Sequence, residues 1–347
     1  MSATDGGEAV RRKGGRALAI AVIAVPLALA AGIAGITFTG SARDGEPMAS
    51  LTLAPSSDFG GAQPLPPAGH ATRSVNGNLV SDLALLDDTQ AGALPKIGPD
   101  GRTPMAAYAA GFNANEKRPR IAIVMMDLGV SDSASALALA KLPPAVTVAL
   151  VPFSTKLQSL ADQARGQGRE VLLEVPMEPF DFPDSDPGPH ALLTAAHADE
   201  NAKRLNWALG RMTGYVGVAN LQGGRFLGET GAVEPVLSAL AARGLMFFDT
   251  GANSNSVAAT AARHVGATNA AGAAILDTVQ MPDAIDAQLA QLESDAKMNG
   301  SAVGTASPYP VSIDRIVQWA AGREARGFVL APLTATATHP APPAPKQ

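Results

Sequence analysis

The sequence predicts an α/β fold, an irregular (β/α) barrel of seven to eight strands preceded by one N-terminal transmembrane helix and a disordered linker. Three observations predict it. From residue 119 onward, apolar runs of strand length alternate with segments of helical spacing, the pattern of parallel βαβ units. Gly and Pro punctuate those segments where helices would end and begin. Residues 17–38 form a run of 22 residues without a charge, long enough at about 1.5 Å per residue to cross a bilayer core of roughly 30 Å.

Taken in order, residues 1–16 are a basic tail with Arg11, Arg12, Lys13 and Arg16. A basic flank stays in the cytoplasm, so the run Ala17–Phe38 predicts a single-pass inner-membrane protein with its C-terminal domain in the periplasm. A cleaved signal peptide is the rival reading, but its apolar region usually runs about 7–15 residues. Residues 39–118 carry Pro47, Pro55, Pro64, Pro66, Pro67, Pro95, Pro99 and Pro104 among Gly, Ala and Ser. That composition reads as a linker too poor in apolar surface to offset chain ordering, with a short apolar patch at Leu79–Leu86 that could dock on the domain or form a partner-binding helix.

The domain at 119–336 follows. Expected strands are Ile121–Met126, Val146–Phe153, Glu170–Val175, Tyr215–Asn220, Leu245–Asp249, Ala273–Asp277, Ser301–Thr305 and Phe328–Pro332. Expected helices are Ser133–Lys141, Thr155–Gln167, Ala198–Met212, Glu229–Arg243, Ser256–Val265, Pro282–Asn299 and Ser312–Arg326. Pro282 suits a first helical turn, and Gly166, Gly168, Gly244, Gly300 and Gly327 sit where left-handed helix ends are expected. A nearly closed barrel accounts for this number of units better than an open doubly wound sheet. Residues 337–347 read as a Pro-rich disordered tail, compatible with polyproline II recognition by an envelope partner.

Charge and composition narrow the function. A net charge of -5, with no basic stripe beyond the N-terminus, excludes a general nucleic-acid binder. The absence of Cys removes disulfides and thiolate metal sites and suits an oxidising compartment. Of the five histidines, none lies on an expected strand end.

In a barrel of parallel strands the ligand site is at the C-terminal ends. Those ends supply Asp127, Glu178, Asn220, Arg225, Asp249, Asp277 and Ser307. Carboxylates gathered there could bind a cation, hold an oxocarbenium-like transition state, or pair with Arg225. Asp127, Glu174 and Glu178 are the candidate catalytic groups, and Asn220, Arg225, Asp249 and Asp277 candidate substrate-binding groups. Phe180 and Phe182, in the loop after a strand, are candidate sugar platforms. Trp207 and Trp319 read as helix packing. His190 and His197, with Asp181, Asp184 and Asp186, make a less favoured loop metal site.

The stretches IAIVMMDLG, VTVALVPF, EVLLEVPMEPFDFPDSDPGPHALL, YVGVANLQGGRF, GLMFFDTG with NSVA, and GSAVGTASPYPVSIDRI resemble, in order, the divergent polysaccharide deacetylases, relatives of the chitooligosaccharide deacetylases. The resemblance covers about residues 119–335. It implies an irregular (β/α) barrel, a glycan or peptidoglycan-related ligand, and hydrolysis of an acetyl group assisted by a divalent metal such as zinc, with Asp127 the ligand if a metal binds. It also implies an Asp pair at the end of the first strand, base then ligand, where this chain has Met126 and Asp127. A thioether cannot take a proton from water, and it is a poor ligand for a hard cation. Arg169, Glu174, Leu221 and Ser307 stand where relatives carry histidines. The expectation is therefore a degenerate glycan-binding or partner-binding domain, with an active hydrolase built on a rearranged carboxylate site as the alternative.

Overall fold

The computed structural model describes residues 72–75, 78–324 and 326–339. In chain order these hold β1 (Thr72–Val75), β2 (Asn78–Ser81), β3 (Leu86–Thr89), β4 (Gly92–Pro95), α1 (Pro104–Tyr108), β5 (Arg120–Leu128), α2 (Asp132–Lys141) and β6 (Thr147–Leu150). There follow α3 (Leu157–Gly166), β7 (Val171–Met177), α4 (Ala198–Leu209), β8 (Gly217–Gln222), α5 (Thr230–Ala242), β9 (Met246–Asp249), α6 (Ala258–Val265) and β10 (Asn269–Ala271). The last elements are β11 (Ala274–Ile275), α7 (Pro282–Asn299), β12 (Ser301–Ala306), α8 (Pro310–Ala321) and β13 (Val329–Leu330).

Strands β5 to β13 form one sheet, in the order β10-β9-β8-β7-β6-β5-β12-β11, with β13 beside the start of β5. Every pairing in it is parallel. The two end strands are neighbours in sequence, separated by Gly272 and Ala273. The Gly272 N–H donates to the Asp249 carbonyl at 2.7 Å and the Ala273 N–H to the Val303 carbonyl at 2.7 Å. Two residues thus span from β9 to β12 and curl the sheet into a barrel-like half-closed cylinder. A side chain at Gly272 would place its Cβ 2.9 Å from the Thr250 carbonyl oxygen, so the crossing needs glycine there.

Alternation divides each strand between two cores. Ile121, Ile123 and Met125 of β5 pack outward with Leu173, Phe247 and the surrounding helices. Ala122, Val124 and Met126 face inward with Ala149, Leu172, Met246, Phe248 and Val303. Both faces are covered, which is why the strands read as unbroken apolar runs.

The N-terminal end of the cylinder is sealed from two sides. Leu85, Ala107 and Tyr108 come from the segment before β5, and Leu333 from the 3-10 turn after β13; all belong to the inner cluster. At this base Glu170 accepts from the Ala110 N–H at 3.1 Å, the Thr334 N–H at 3.0 Å and the Thr334 hydroxyl, with the Thr147 hydroxyl at 3.4 Å.

Three expectations change. Residues 78–118 are not a disordered linker: β3 and β4 pair as a hairpin, and Leu85 and Leu94 are buried. Their few apolar residues suffice because they cover an existing core instead of building their own. The tail begins later than residue 337, since Thr338 and Asn269 exchange backbone hydrogen bonds at 2.7 and 3.1 Å. Gly166 closes α3 as a helical residue, and Gly168 takes the left-handed conformation. The expected membrane helix at 17–38, the linker at 39–71 and the tail from 340 lie outside the described residues. Among the described residues no helix is long and apolar enough to cross a membrane.

Candidate functional site

Strict alternation would send Asp127 outward to the helices, since Met125 and Leu128 both belong to the outer core. The pairing of β5 with β6 slips between Met125 and Leu128, and Asp127 takes φ 61°. Such a bulge re-aims the side chain it carries. Here it places Met126 and Asp127 together on the mouth, where Asp127 Oδ2 accepts from the Ser307 hydroxyl at 2.6 Å. Among the described residues two non-glycine side chains have positive φ, Asp127 and Gln222. Both line the same cavity. Strained backbone of this kind costs about 1–3 kcal/mol and gathers at functional sites.

The cavity holds about 310 Å³ and is lined by the C-terminal ends of β5, β7, β8, β11 and β12 and the turn after β9. Asp127, Glu174, Asn220 and Asp277 meet there. Glu174 is 0% exposed; its Oε1 accepts the Asp127 backbone N–H at 2.6 Å, and its Oε2 is buried with no partner. Burial, reinforced by the Asp127 carboxylate, pushes the Glu174 carboxyl up to about 8. Asp277 is also raised by burial, although the Ser312 hydroxyl at 2.7 Å and the Ser307 N–H at 2.9 Å, both donating to Oδ2, work against the shift. Asn220 holds the far wall: its amide donates to the Gln222 carbonyl and the Thr250 hydroxyl and accepts the Thr250 N–H.

Other candidates lie elsewhere. Glu178 takes the Thr194 N–H and hydroxyl at 2.6 and 2.7 Å and pairs with Arg225 at 3.2 Å. Against burial, which raises it, those bonds hold its carboxyl below the usual range. The pair stitches the loop after β7 to the turn after β8, because the Arg225 and Phe226 N–H groups donate to the Glu178 carbonyl. Asp249 accepts the Gly251 N–H at 3.0 Å and shapes the turn after β9. Phe180 is 60% exposed and covers Gly224. Neither Phe180 nor Phe182 lines the cavity, because the loop after β7 bends outward to pack on the β8 turn.

The histidine positions also sort by place. Arg169 precedes β7 and donates to the carbonyls of Leu139, Leu142 and Pro143 at the base. Glu174 lies five steps further along the extended chain, about 16 Å, so Arg169 has no bearing on a ligand set at the mouth. His190 stacks on Trp207 at 3.7 Å, Asp181 accepts from the Ser185 hydroxyl and Asp186 from the Gly188 N–H: this loop is held by its own turns and does not reach over the cavity. His197 precedes α4 as its N-cap, His264 pairs with Glu234, and Trp319 donates to Glu293.

Sequence reading missed Gln222, Thr250 and Thr305 as lining residues. The one available signal was Gly223 after Gln222, which marks a tight turn at a strand end. A smaller cavity of about 120 Å³ lies between α4 and α5, but its lining is dominated by Ala and other small apolar residues with no converging charges.

A zinc-type ion needs several His, Asp or Glu side chains within bonding reach. Among the described residues no three such groups stand close enough together to hold one. The mouth offers oxygen only, Glu174 Oε1 is already engaged by a backbone N–H, and Asp127 Oδ2 and Asp277 Oδ2 are bound by Ser307. This donor set does not fit the implied metal.

Residues 123–337 match the family described as divergent polysaccharide deacetylase. The uncharacterized protein YibQ of Escherichia coli K12 is 27% identical over 199 residues, 57% of this chain and 61% of that protein, so the chain spans about three fifths of its length. An uncharacterized protein of Haemophilus influenzae is 26% identical over 195 residues, 56% of this chain and 68% of that protein. The crystal structure of the uncharacterized protein ATU2773 from Agrobacterium tumefaciens C58 superposes with a TM-score of 0.68 at 37% identity, covering 70% of this chain and 99% of that one.

Proposed function

The chain belongs to the divergent polysaccharide deacetylase family, and from that membership we propose that its barrel binds a glycan or peptidoglycan-related ligand without the family's metal-assisted hydrolysis. One observation carries the reading: the make-up of the mouth. Met126, 8% exposed, stands where the resemblance calls for the catalytic base; its sulfur neither accepts a proton from water nor holds a hard cation. One oxygen each of Asp127, Glu174 and Asp277 is already held by an N–H or O–H of the protein. What survives is a concave, carboxylate-lined site on a rigid scaffold, the usual form of a small-ligand site.

An envelope setting is part of the same proposal. Its support is the uncharged run Ala17–Phe38 behind a basic flank, which favours a single-pass anchor with the barrel in the periplasm. Contact with a second envelope protein is compatible with this setting.

The test is a paired measurement on the whole protein: binding of acetylated chitooligosaccharides or peptidoglycan fragments, and acetate release from them with and without zinc. Binding without acetate is the expected result. Acetate release that disappears in Asp127→Asn would overturn the silent reading.

A second reading has its own support. Glu174, protonated at neutral pH by burial, touches Asp127. An acid beside a carboxylate is an arrangement that serves acid and base catalysis. This metal-free hydrolase would lose its rate in both Glu174→Gln and Asp127→Asn, with no response to zinc.

A further inference from the structure

We propose that the mouth selects a sugar bearing a free primary ammonium, a de-N-acetylated amino sugar, over its N-acetylated counterpart. The proposal rests on the glycan-binding reading above and names the ligand class for the same cavity.

Asp127, Glu174 and Asp277 line the cavity, Glu174 holding a proton that an entering ammonium displaces to solvent, and among the described lining residues there is no Lys, Arg or His to balance them. Arg225, the cation nearest in sequence to the mouth, is committed to Glu178 and to the Phe180 carbonyl.

The hydrogen-bond inventory points the same way. The donors beside the carboxylates are spent inside the protein: the Asp127 N–H on Glu174, the Ser307 N–H on Asp277, the Ser307 hydroxyl on Asp127, and the Asn220 amide on Gln222 and Thr250, leaving the Gln222 side-chain amide and the Thr250 hydroxyl on the far wall. The acceptors are not. Glu174 Oε2 is buried without a partner, and the hydrogen bonds of Asp127 and Asp277 fall on one oxygen of each. A ligand that reaches these carboxylates must therefore bring donors. An ammonium brings three N–H groups and a charge, whereas an acetamide brings one N–H and a carbonyl that itself needs a donor.

The buried oxygen is not a general property of this strand. Glu170, immediately before β7 and four residues from Glu174, is as deeply buried, yet Ala110, Thr334 and Thr147 surround both of its oxygens. An orphaned buried acceptor calls for a specific explanation, and the Glu174 side chain that carries it lines the cavity. A volume of about 310 Å³ is at the small end for ligand sites, suited to a single sugar residue.

The experiment compares tri-glucosamine with tri-N-acetylglucosamine by calorimetric titration of the whole protein at mildly acidic pH, where the amine is charged. The amino form is expected to bind at least about tenfold more tightly, the scale of one charged hydrogen bond in a buried site. Glu174→Gln and Asp277→Asn, checked by thermal unfolding, should each shrink that preference several-fold. Equal or tighter binding of the N-acetylated trimer, or a preference unmoved in both folded variants, overturns the proposal and leaves the glycan-binding reading standing. Failure of both trimers to bind removes the two together.

Discussion

Glu170, just before β7, and Glu174 within it lie four residues apart in the same alternation, one with both oxygens satisfied at the base and the other with one buried oxygen left without a partner beside the mouth. The first is structural: two segments far apart in sequence, at Ala110 and Thr334, converge on it. The second is held in place by one N–H from a bulged strand.

Replacing Glu174 should change how stability depends on pH. Its folded-state value is raised from 4.5 to about 8, so the folded protein holds a proton that the unfolded chain releases. Stability attached to this group is full below about pH 4.5 and falls as pH rises towards 8. Glu174→Gln lacks that loss. In urea unfolding the variant should gain on the wild type across this window, by an amount on the order of a few kcal/mol. A constant difference from pH 4 to 9 would contradict it.

The left-handed backbone at Gln222 makes a separate prediction. Relief of a side chain at φ 58° is worth about 1–2 kcal/mol, less roughly 0.5–1 kcal/mol for the extra freedom of Gly in the unfolded chain. Gln222→Gly should leave the urea midpoint unchanged or raised, whereas Gln222→Val should lower it clearly.

Leu85 tests whether the segment before β5 belongs to the domain. It is fully buried in the inner cluster, and Leu→Ala at such sites costs about 2–5 kcal/mol. A fragment beginning at residue 119 should accordingly be far less stable than one beginning at residue 78. Equal melting temperatures for the two fragments would return the segment to the status of a linker.

Zinc should leave the protein unaffected. With an oxygen-only mouth and no convergent triad among the described residues, a thermal melt in excess zinc is expected to match the metal-free melt. A rise that vanishes in Asp127→Asn would show that the ion finds a site here after all.

Much of the barrel was readable from periodicity because its strands are covered on both faces and its helices end at Gly. Asp127, Asn220 and Asp277 could be placed by strand ends alone, and Glu174 by its position in the quoted motif. Strand β10 escaped because three residues, NAA, carry no β-branched or aromatic side chain. The base segment escaped because Pro-rich composition conceals how few residues need to be buried when a core already exists. The bulge at Met126 and Asp127 leaves no mark in composition, although it decides which way the carboxylate points. Phe180 and Phe182 show the converse: a loop after a strand end has the right sequence position for a sugar platform, but Arg225 and Gly224 draw it to the outer wall.

The sealed base has a consequence for traffic. With Leu85, Tyr108 and Leu333 closing one end, whatever enters between Asp127 and Asp277 must leave by the way it came. A polymer cannot be threaded through such a cul-de-sac. Under the proposed glycan-binding reading, a chain would present a terminus or a projecting substituent to this cavity and not its threaded interior.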